Sequence, residues 1–479
     1  MSTRHRAVSG ILWALWQQIS GKLVSFCISI YLARLLEPSQ FGLIAMLSVF
    51  IAIGNSLMDS GLTSSLIRTA EPSQKDLSTI FYFNLAGSAV IYTALFFSAP
   101  FIARFYHQPA LTALARVYGL IFISNAFFGI QSTLLVKDMK FRKQTNIQIP
   151  SSIVGGIVGI LMARSGYGVW SLAGMMLCNS FTSTAFHWIL SPWRPSATFD
   201  MVLFRKHFHF GYKITISGLL DTAYQNLYLI VIGRYFSAAQ LGLYSRADTI
   251  SQLPISNISA AINKATYPYF AQFSDDVDQL KVVYKKLMQQ VIFWNAPVLI
   301  LLALIAGPLF NLLLTAKWSA AVPYFRILCI GGVMYPLHSY NLNILKVMGE
   351  SALFLKLEAI KKVLSITGIF ICVSYGIYGL LYFNLFFNFL GYYINSFYSG
   401  RLIGYPMREQ LKDVLPNLLT AAFCGIVCYL LSLSLTQVTS NEFMQIGIIS
   451  IAFISAYGML SLVTKSAALQ DFTQLILKR

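Results

Sequence analysis

The 479 residues are poor in charge and rich in apolar side chains, with 56% hydrophobic and 11% charged residues. A soluble globular domain carries about 25% charged residues, so the composition excludes a soluble main body and favours a membrane protein. The formal net charge of +18 indicates contact with anionic lipid at the membrane surface. We do not expect nucleic-acid binding.

Apolar residues recur in runs of about 20, the length that crosses the hydrocarbon core of a bilayer as a helix. Only helices and closed barrels span lipid, and runs this long exclude the barrel. We therefore predict an all-α integral membrane protein with fourteen transmembrane helices. The predicted spans are 9–33, 39–62, 79–103, 110–136, 145–164, 168–190, 209–233, 240–268, 288–314, 320–345, 353–375, 378–400, 414–436 and 443–464.

The distribution of Lys and Arg predicts the orientation in the membrane. With both termini in the cytoplasm, most of the 35 basic residues fall at the termini or in loops after even-numbered spans. The first apolar run continues to Leu36 without a small-residue cleavage site, so we predict a permanent helix rather than a signal peptide. The basic residues near the opposite side are Arg34, Arg104, Arg164, Arg234 and Lys317.

A weak internal repeat occurs at an offset of 200 residues. Residues 33–43 read ARLLEPSQFGL and residues 233–243 read GRYFSAAQLGL, with identities at Arg34/Arg234, Gln40/Gln240, Gly42/Gly242 and Leu43/Leu243. Both segments lie at a predicted outer turn, six spans apart, which predicts a parallel repeat about an axis normal to the membrane. We therefore expect six-helix bundles at 1–207 and 208–402, followed by two further helices and a cytoplasmic tail at 403–479.

Charged side chains deep in predicted spans are candidate functional residues, because a charge at the membrane centre costs about 2.5–3.5 kcal/mol unless it faces a cavity or a partner. Lys22 shares a polar helix face with Gln18, far from both ends of its span. The predicted substrate-binding cavity comprises Gln18, Lys22, Arg246, Lys361 and Lys362.

Four carboxylates in or near the spans are predicted to balance these cations or to carry a coupling proton or sodium ion. They are Asp59, Asp221, Asp248 and Glu358. Alternative interpretations stay open. The ammonium groups of Lys361 and Lys362 could reach the inner interface, Glu358 could pair with Lys362 at i+4, and Lys22 could form an ion pair with Asp221.

Motifs for catalysis, ATP hydrolysis and metal binding are missing from the sequence. It contains no Walker A pattern, no HExxH and no nucleophile elbow, and its six cysteines lack zinc-site spacing. We therefore expect a protein that is not an enzyme and that uses no cofactor or metal.

Six segments carry a family resemblance through packing and turn signatures rather than catalytic motifs. They are LARLLEPSQFGL (32–43), MDSGL (58–62), GLYSRADTISQLP (242–254), TYPYFAQFSDD (266–276), KWSAAVPYFRILCIGG (317–332) and YPLHSYNLNILKVMGESALFLKLEAIKK (335–362). With these segments the chain resembles, over nearly its whole length, the Wzx-type, WzxC-like lipid-linked oligosaccharide flippases of the multidrug/oligosaccharidyl-lipid/polysaccharide exporter superfamily.

The resemblance implies a MATE-like fold of two six-helix bundles in pseudo-twofold arrangement around a central cavity, with two additional helices. It implies a bacterial inner-membrane protein that moves an undecaprenyl-diphosphate-linked glycan to the periplasmic leaflet, in contact with membrane lipid and with other polysaccharide assembly proteins. Lys22 would then contact the diphosphate. Two alternatives remain, a MATE-type cation-coupled drug antiporter and an uncoupled lipid scramblase.

Overall fold

The computed structural model describes residues 21–59, 61–273 and 275–477. Every regular element within these ranges is a helix. The chain forms two compact units, one ending at Gly242 and the other beginning at Leu243. The three-part division expected from the repeat stays a prediction.

The first unit contains eleven helical elements, the last of which continues into the second unit. They are α1 (21–35), α2 (Pro38–Asp59), α3 (Leu62–Arg68), α4 (Gln74–Tyr106), α5 (Ala110–Tyr118), α6 (Ile121–Lys137), α7 (Phe141–Arg164), α8 (Val169–Leu190), α9 (Met201–Gln225), α10 (Leu227–Tyr235) and α11 (Ala238–Ala271). Helix α9 packs against α2, α3 and α4, and α8 packs against α6 and α7.

The second unit holds nine further α-helices and two short 3₁₀ segments. They are α12 (Val277–Leu304), α13 (Ala306–Leu314), a 3₁₀ turn (Ala316–Ala321), α14 (Val322–Gly332), α15 (Tyr335–Val347), α16 (Ser351–Cys372), a 3₁₀ turn (Val373–Tyr375), α17 (Gly376–Leu402), α18 (Met407–Val438), α19 (Glu442–Val463) and α20 (Ala467–Leu477). Helices α18 and α19 pack against each other and against α12.

Helix positions follow the predicted spans closely in the part of the chain that the structure describes. Helix α8 (Val169–Leu190) matches the predicted span 168–190, and α19 (Glu442–Val463) matches 443–464. Nine helical stretches of these residues are long and apolar enough to cross a membrane. One of them, Ser351–Leu402, has 52 residues, more than twice the length of one crossing. The total of fourteen crossings stays a prediction.

Short polar side chains fix where several helices begin. Asp276 Oδ1 accepts a hydrogen bond from the backbone N–H of Gln279 at 3.0 Å, which caps α12. Asn441 Oδ1 accepts from the backbone N–H of Phe443 at 3.0 Å, which caps α19. Such caps satisfy amide groups that have no partner in the first turn of a helix, and each is worth about 1 kcal/mol.

Each unit buries its own aromatic and aliphatic core. In the first unit, Leu62, Leu66, Phe81 and Ile130 belong to one buried cluster that joins α3, α4 and α6. In the second unit, large rings from α11, α12, α15 and the turn before α18 contact one another, with centroids 5.7 to 6.1 Å apart. These rings belong to Phe270, Tyr284, Tyr340 and Tyr405. Packing of this kind positions the polar side chains described below.

The two copies of the sequence repeat meet each other at glycines in the first unit. A Cβ atom added to Gly42 would lie 1.7 Å from the backbone oxygen of Ala238. A Cβ atom added to Gly242 would lie 1.8 Å from the backbone oxygen of Pro38. Because the contact is reciprocal, α2 and the start of α11 touch backbone to backbone, and only glycine fits at either position.

Gln40 and Gln240 are another identical pair of the repeat, and they form equivalent hydrogen bonds to the backbone in the two copies. Gln40 Oε1 accepts a hydrogen bond from the backbone N–H of Glu37 at 3.1 Å. Gln240 Oε1 accepts from the backbone N–H of Ser237 at 3.2 Å. Each glutamine reaches back to the residue before its helix, as the third residue of a capping box does. The repeat seen in the sequence is therefore repeated in local structure.

We predict that Gly42→Ala destabilises the protein by at least about 1–3 kcal/mol, because the added methyl group overlaps a backbone oxygen. Gly242→Ala should have the same effect. The measurement is thermal unfolding of the purified protein in detergent. Gly129→Ala is the matched control, since nothing lies within 4 Å of a Cβ atom there. Equal unfolding temperatures for the Gly42 variant and the control would contradict the backbone contact.

Candidate functional site

The second unit holds a buried cation on α16. The side chain of Lys361 is 4% exposed, and its ammonium group forms an ion pair with the carboxylate of Glu358, one turn earlier. Lys361 lies about ten residues, or about 15 Å, from the start of the helix, which is half the thickness of the hydrocarbon core. The structure thus pairs the Glu358 carboxylate with Lys361, at i+3.

The Lys361 ion pair adjoins a polar cluster formed by α15 and α17. Helix α16, which carries the ion pair, packs against both α15 and α17. Asn395 Nδ2 donates hydrogen bonds to His338 Nδ1 at 3.0 Å and to the His338 backbone oxygen at 3.3 Å. An amide N–H needs an acceptor, so Nδ1 carries no hydrogen and the imidazole is neutral. Gly391 makes room for this ring, because a Cβ there would lie 2.8 Å from His338 Cε1.

A second pair of polar residues extends this cluster along the same two helices. Ser399 Oγ donates to Asn341 Oδ1, and Asn341 Nδ2 donates to the backbone oxygen of Leu337 at 2.8 Å. His338 and Asn341 lie within the predicted span 320–345, but the sequence analysis did not identify them or their partners on α17 as a cluster. The spacing of Asn388, Asn395 and Ser399, at i+7 and i+4, places them on one helix face and was the available signal.

Arg246 and Asp248 are two residues apart in the sequence of α11. Arg246 is 6% exposed, and its guanidinium carbon lies 5.8 Å from the ring centroid of the fully buried Trp318. This distance allows a cation–π interaction. Asp248 is half-buried and its Oδ1 accepts from Gln252 Nε2 at 3.4 Å. Lys362, next to the ion pair on α16, is half-buried.

An apolar groove of about 490 Å³ lies in the second unit between α12, α14, α17 and α18. Arg326 is the one charged side chain among the described residues that line it, and its Nε donates to the backbone oxygen of Ala303 at 3.2 Å. The groove matches a hydrocarbon chain better than a sugar, because its walls supply almost no hydrogen-bonding groups.

The first unit contains the remaining predicted site residues. Lys22 is exposed on α1 and Asp221 is half-buried on α9, and both side chains take part in polar or electrostatic contacts. Asp59 is the last residue of α2, but its side chain and the whole of Gln18 lie outside the described residues. The pairing of Lys22 with Asp221 stays a prediction.

Ser65, Asp76 and His207 form a buried clasp between α3, α4 and α9 that sequence reasoning missed. His207 Nε2 lies 3.0 Å from Asp76 Oδ1, and His207 Nδ1 lies 2.7 Å from Ser65 Oγ. The three residue types also occur in hydrolase triads, but all three side chains are buried here, so a substrate has no access to the hydroxyl. The arrangement therefore fits a structural link that holds α9 to the rest of the unit.

We predict that His207→Ala destabilises the first unit by about 1–3 kcal/mol, because Asp76 loses a buried hydrogen-bond partner. Hydrogen exchange of backbone amides in α3 and α9 should rise in the variant. His209→Ala is the matched control, since His209 lies two residues further along the same helix and is exposed. Unchanged exchange in the His207 variant would show that the clasp contributes no stability.

A polar cavity of about 360 Å³ lies within the first unit between α6, α7 and α8. It was also missed, although the spacing Gln144/Gln148 and Asn179/Ser183/His187 puts polar side chains on single helix faces. The described lining residues are Tyr118, Ile121, Asn125, Phe128, Ser132, Gln144, Ile147, Gln148, Met176, Asn179, Ser180, Ser183 and His187. No charged side chain occurs in this lining set.

The described residues contain no cluster of three or more His, Cys, Asp or Glu side chains that could hold a metal ion. Cations and a hydrocarbon groove lie in the second unit, and an uncharged polar cavity lies in the first.

Comparison with solved structures shows the fold. A lipid II flippase, MurJ, in an inward closed conformation superposes with a TM-score of 0.73 at 15% identity, covering 95% of this chain and 98% of that one. An inward-facing multidrug resistance MATE family transporter superposes with a TM-score of 0.60 at 16% identity, covering 80% of this chain and 94% of that one. The predicted MATE-like membrane fold is thereby confirmed at the level of the helical architecture.

Comparison of sequences gives the family. The lipopolysaccharide biosynthesis protein WzxC of Escherichia coli K12 is 25% identical over 340 residues, which are 70% of this chain and 68% of that protein. Residues 31–323 match the model of a family described as polysaccharide biosynthesis protein. This match covers more than half of the chain, and it confirms the resemblance found in the sequence. The chain belongs to the polysaccharide biosynthesis protein family of multi-pass membrane transporters.

Proposed function

We propose that this protein is a flippase that moves an undecaprenyl-diphosphate-linked oligosaccharide from the cytoplasmic to the periplasmic leaflet of the bacterial inner membrane by alternating access. The glycan would be a repeat unit of a surface polysaccharide or lipopolysaccharide. The family match and the likeness to WzxC support the polysaccharide part of the proposal. The fold shared with a lipid II flippase supports movement of a lipid-linked glycan.

The observation that carries the proposal is the excess of cations over carboxylates inside the second unit. Arg246, Lys361 and Lys362 lie on α11 and α16, with Asp248 and Glu358 as the carboxylates of the same segments. Cations at this depth are costly unless an anion compensates them. A diphosphate supplies that anion when cargo binds, and it forms charge-assisted hydrogen bonds with ammonium and guanidinium groups.

The apolar groove of the second unit gives the lipid part of such a cargo a complementary surface. A prenyl chain buries apolar surface there at roughly 25 cal/mol per Å². A hydrated sugar would lose hydrogen bonds to water in the same groove without replacement. Cations and a hydrocarbon surface within one unit match the two chemically different ends of a lipid diphosphate.

A MATE-type drug antiporter is the alternative with the same architecture. Organic cations call for carboxylates and aromatic rings in the binding cavity, whereas α16 offers two lysines and one glutamate between residues 358 and 362. The charge balance therefore favours an anionic cargo. In the proposed cycle, Asp59, Asp221 and Asp248 balance charge or carry a coupling proton or sodium ion.

We predict that deletion of the gene from its own organism traps the lipid-linked oligosaccharide in the cytoplasmic leaflet. Its glycan should then be out of reach of a membrane-impermeant oxidant and aldehyde label applied from the periplasm. Plasmid-borne wild-type protein should restore labelling. Labelling at the parental rate in the deletion strain would contradict the proposal. A changed susceptibility to cationic drugs in that case would support the antiporter.

We predict that Lys361→Met lowers glycan export about tenfold or more, because a hydrogen bond to a charged group is worth roughly 1.5–3 kcal/mol. Lys361→Arg should keep part of the activity, since the charge survives. The Lys361→Met/Glu358→Gln double variant removes the ion pair without leaving an unpaired charge. If the double variant exports at the wild-type rate, the pair is structural and the cargo does not need Lys361.

A further inference from the structure

The polar cavity of the first unit has the features of a binding site. Its volume of about 360 Å³ lies within the range of small-molecule pockets, roughly 300–1,000 Å³. Three membrane-depth helices, α6, α7 and α8, supply its walls. Polar side chains in a span are costly where they face lipid, and their concentration around one cavity indicates that they face a polar occupant.

The chemistry of the lining set selects an uncharged occupant. The polar members in the described part of the chain are amides, hydroxyls and one imidazole, with no carboxylate, lysine or arginine among them. An inorganic cation or an organic amine would lack a counter-charge there, and a phosphate would lack a cation. An uncharged molecule with several hydroxyl groups finds both donors and acceptors.

His187 brings an acceptor that the protein leaves without a donor. Its side chain is 4% exposed, and its Nδ1 lies 2.8 Å from the backbone oxygen of Ser183. A carbonyl oxygen only accepts, so Nδ1 carries the hydrogen and Nε2 of the neutral ring is an acceptor. Nε2 is buried and has no hydrogen-bond partner among the residues that the structure describes. A buried acceptor without a donor lowers stability, and a ligand hydroxyl would satisfy it.

Two amide side chains of the cavity are available to a ligand. In the described residues, the side chains of Gln144 and Asn179 line the cavity and make no hydrogen bond to other groups of that part of the chain. Asn125, by contrast, is fixed: its Oδ1 accepts from Ser180 Oγ at 2.9 Å and its Nδ2 donates to Asn55 at 3.4 Å. Asn125 is therefore held by internal hydrogen bonds, whereas Gln144 and Asn179 are open amides.

Aromatic rings complete the cavity. The rings of Phe128 and His187 are stacked, with centroids 4.8 Å apart and planes 19° apart, and Tyr118 also belongs to the lining. Flat apolar ring faces beside amides and hydroxyls suit a sugar ring, which has an apolar C–H face and a polar hydroxyl edge. The stack also keeps the imidazole in one orientation, so that Nε2 is an acceptor with a fixed direction.

We propose that this cavity binds one uncharged sugar residue, with hydroxyl groups donating to His187 Nε2 and bonding to the amides of Gln144 and Asn179. The assignment of the sugar to the transported glycan rests on the proposed function. Binding by itself does not, because it depends only on the lining groups.

The test is saturation-transfer NMR on the purified full-length protein in lipid nanodiscs. The probes are the methyl glycosides of glucose, galactose and mannose, N-acetylglucosamine, and methyl glucuronide as the charged comparison. We expect saturation transfer to at least one neutral sugar and an at least fivefold weaker signal for the glucuronide. No transfer to any neutral sugar would overturn the proposal and leave the cavity as a water-filled space.

Variants locate the binding. His187→Phe keeps the ring stack but removes the acceptor, and Asn179→Leu removes an open amide; each should lower the signal at least fivefold. His187→Gln should restore part of it, since the glutamine side chain again offers an oxygen acceptor. His209→Phe is the control, because His209 is exposed on α9 and outside the cavity. Equal signals from wild type, the His187→Phe variant and the control would mean binding elsewhere and overturn the proposal.

The two proposals fail separately. If deletion of the gene blocks glycan export but the purified protein binds no neutral sugar, the cavity proposal is wrong and the flippase stands. If neutral sugars bind and the His187 and Asn179 variants abolish binding while export proceeds without the protein, the flippase is wrong and the sugar site stands.

Discussion

The hydrocarbon core of a bilayer offers no hydrogen-bond donor or acceptor, and this constraint applies to every membrane-depth helix of the chain. Each polar side chain on a membrane-depth helix must find a protein partner or face a space that holds water or a ligand. The pairing of Lys361 with Glu358 and of Asn341 with Ser399 meets the first condition. Breaking such a buried pair by removing one member is costly, because it leaves an uncompensated group, whereas replacing both costs little.

The same constraint gives meaning to polar groups that lack a partner. Asn125 and Ser180 are bonded to each other and hold helices together. Among the described residues, His187 Nε2 is buried without a partner, and its ring lines the polar cavity of the first unit. Leaving one acceptor unpaired lowers stability by an amount that evolution can remove with a single substitution. A ligand hydroxyl in the adjoining cavity would satisfy this acceptor, which the surrounding described residues do not.

Features that depend on a single helix can be predicted from the sequence, because apolar periodicity and residue spacing are local properties of the chain. The edges of α8 and α19 follow from apolar run length. Gly42 and Gly242 stand out by the repeat, although only the structure shows that their backbones meet. Contacts between side chains on different helices cannot be predicted in this way. His207 and Asp76 are 131 residues apart, and no local pattern links them, so the clasp was missed. The cavity between α6, α7 and α8 was missed for the same reason, although the polar face of each helix is recognisable from its residue spacing.

The proposed cargo has three chemically distinct parts, and the described residues divide accordingly. The hydrocarbon chain matches an apolar groove and the diphosphate matches the cations of α11 and α16, both in the second unit. The neutral glycan matches the uncharged cavity of the first. Specificity arises when the wrong cargo leaves a buried acceptor or cation without a partner. Such an unsatisfied group costs more free energy than a missing apolar contact. This argues that discrimination among lipid-linked glycans depends on the first unit, while the second recognises the lipid diphosphate that all such cargoes share.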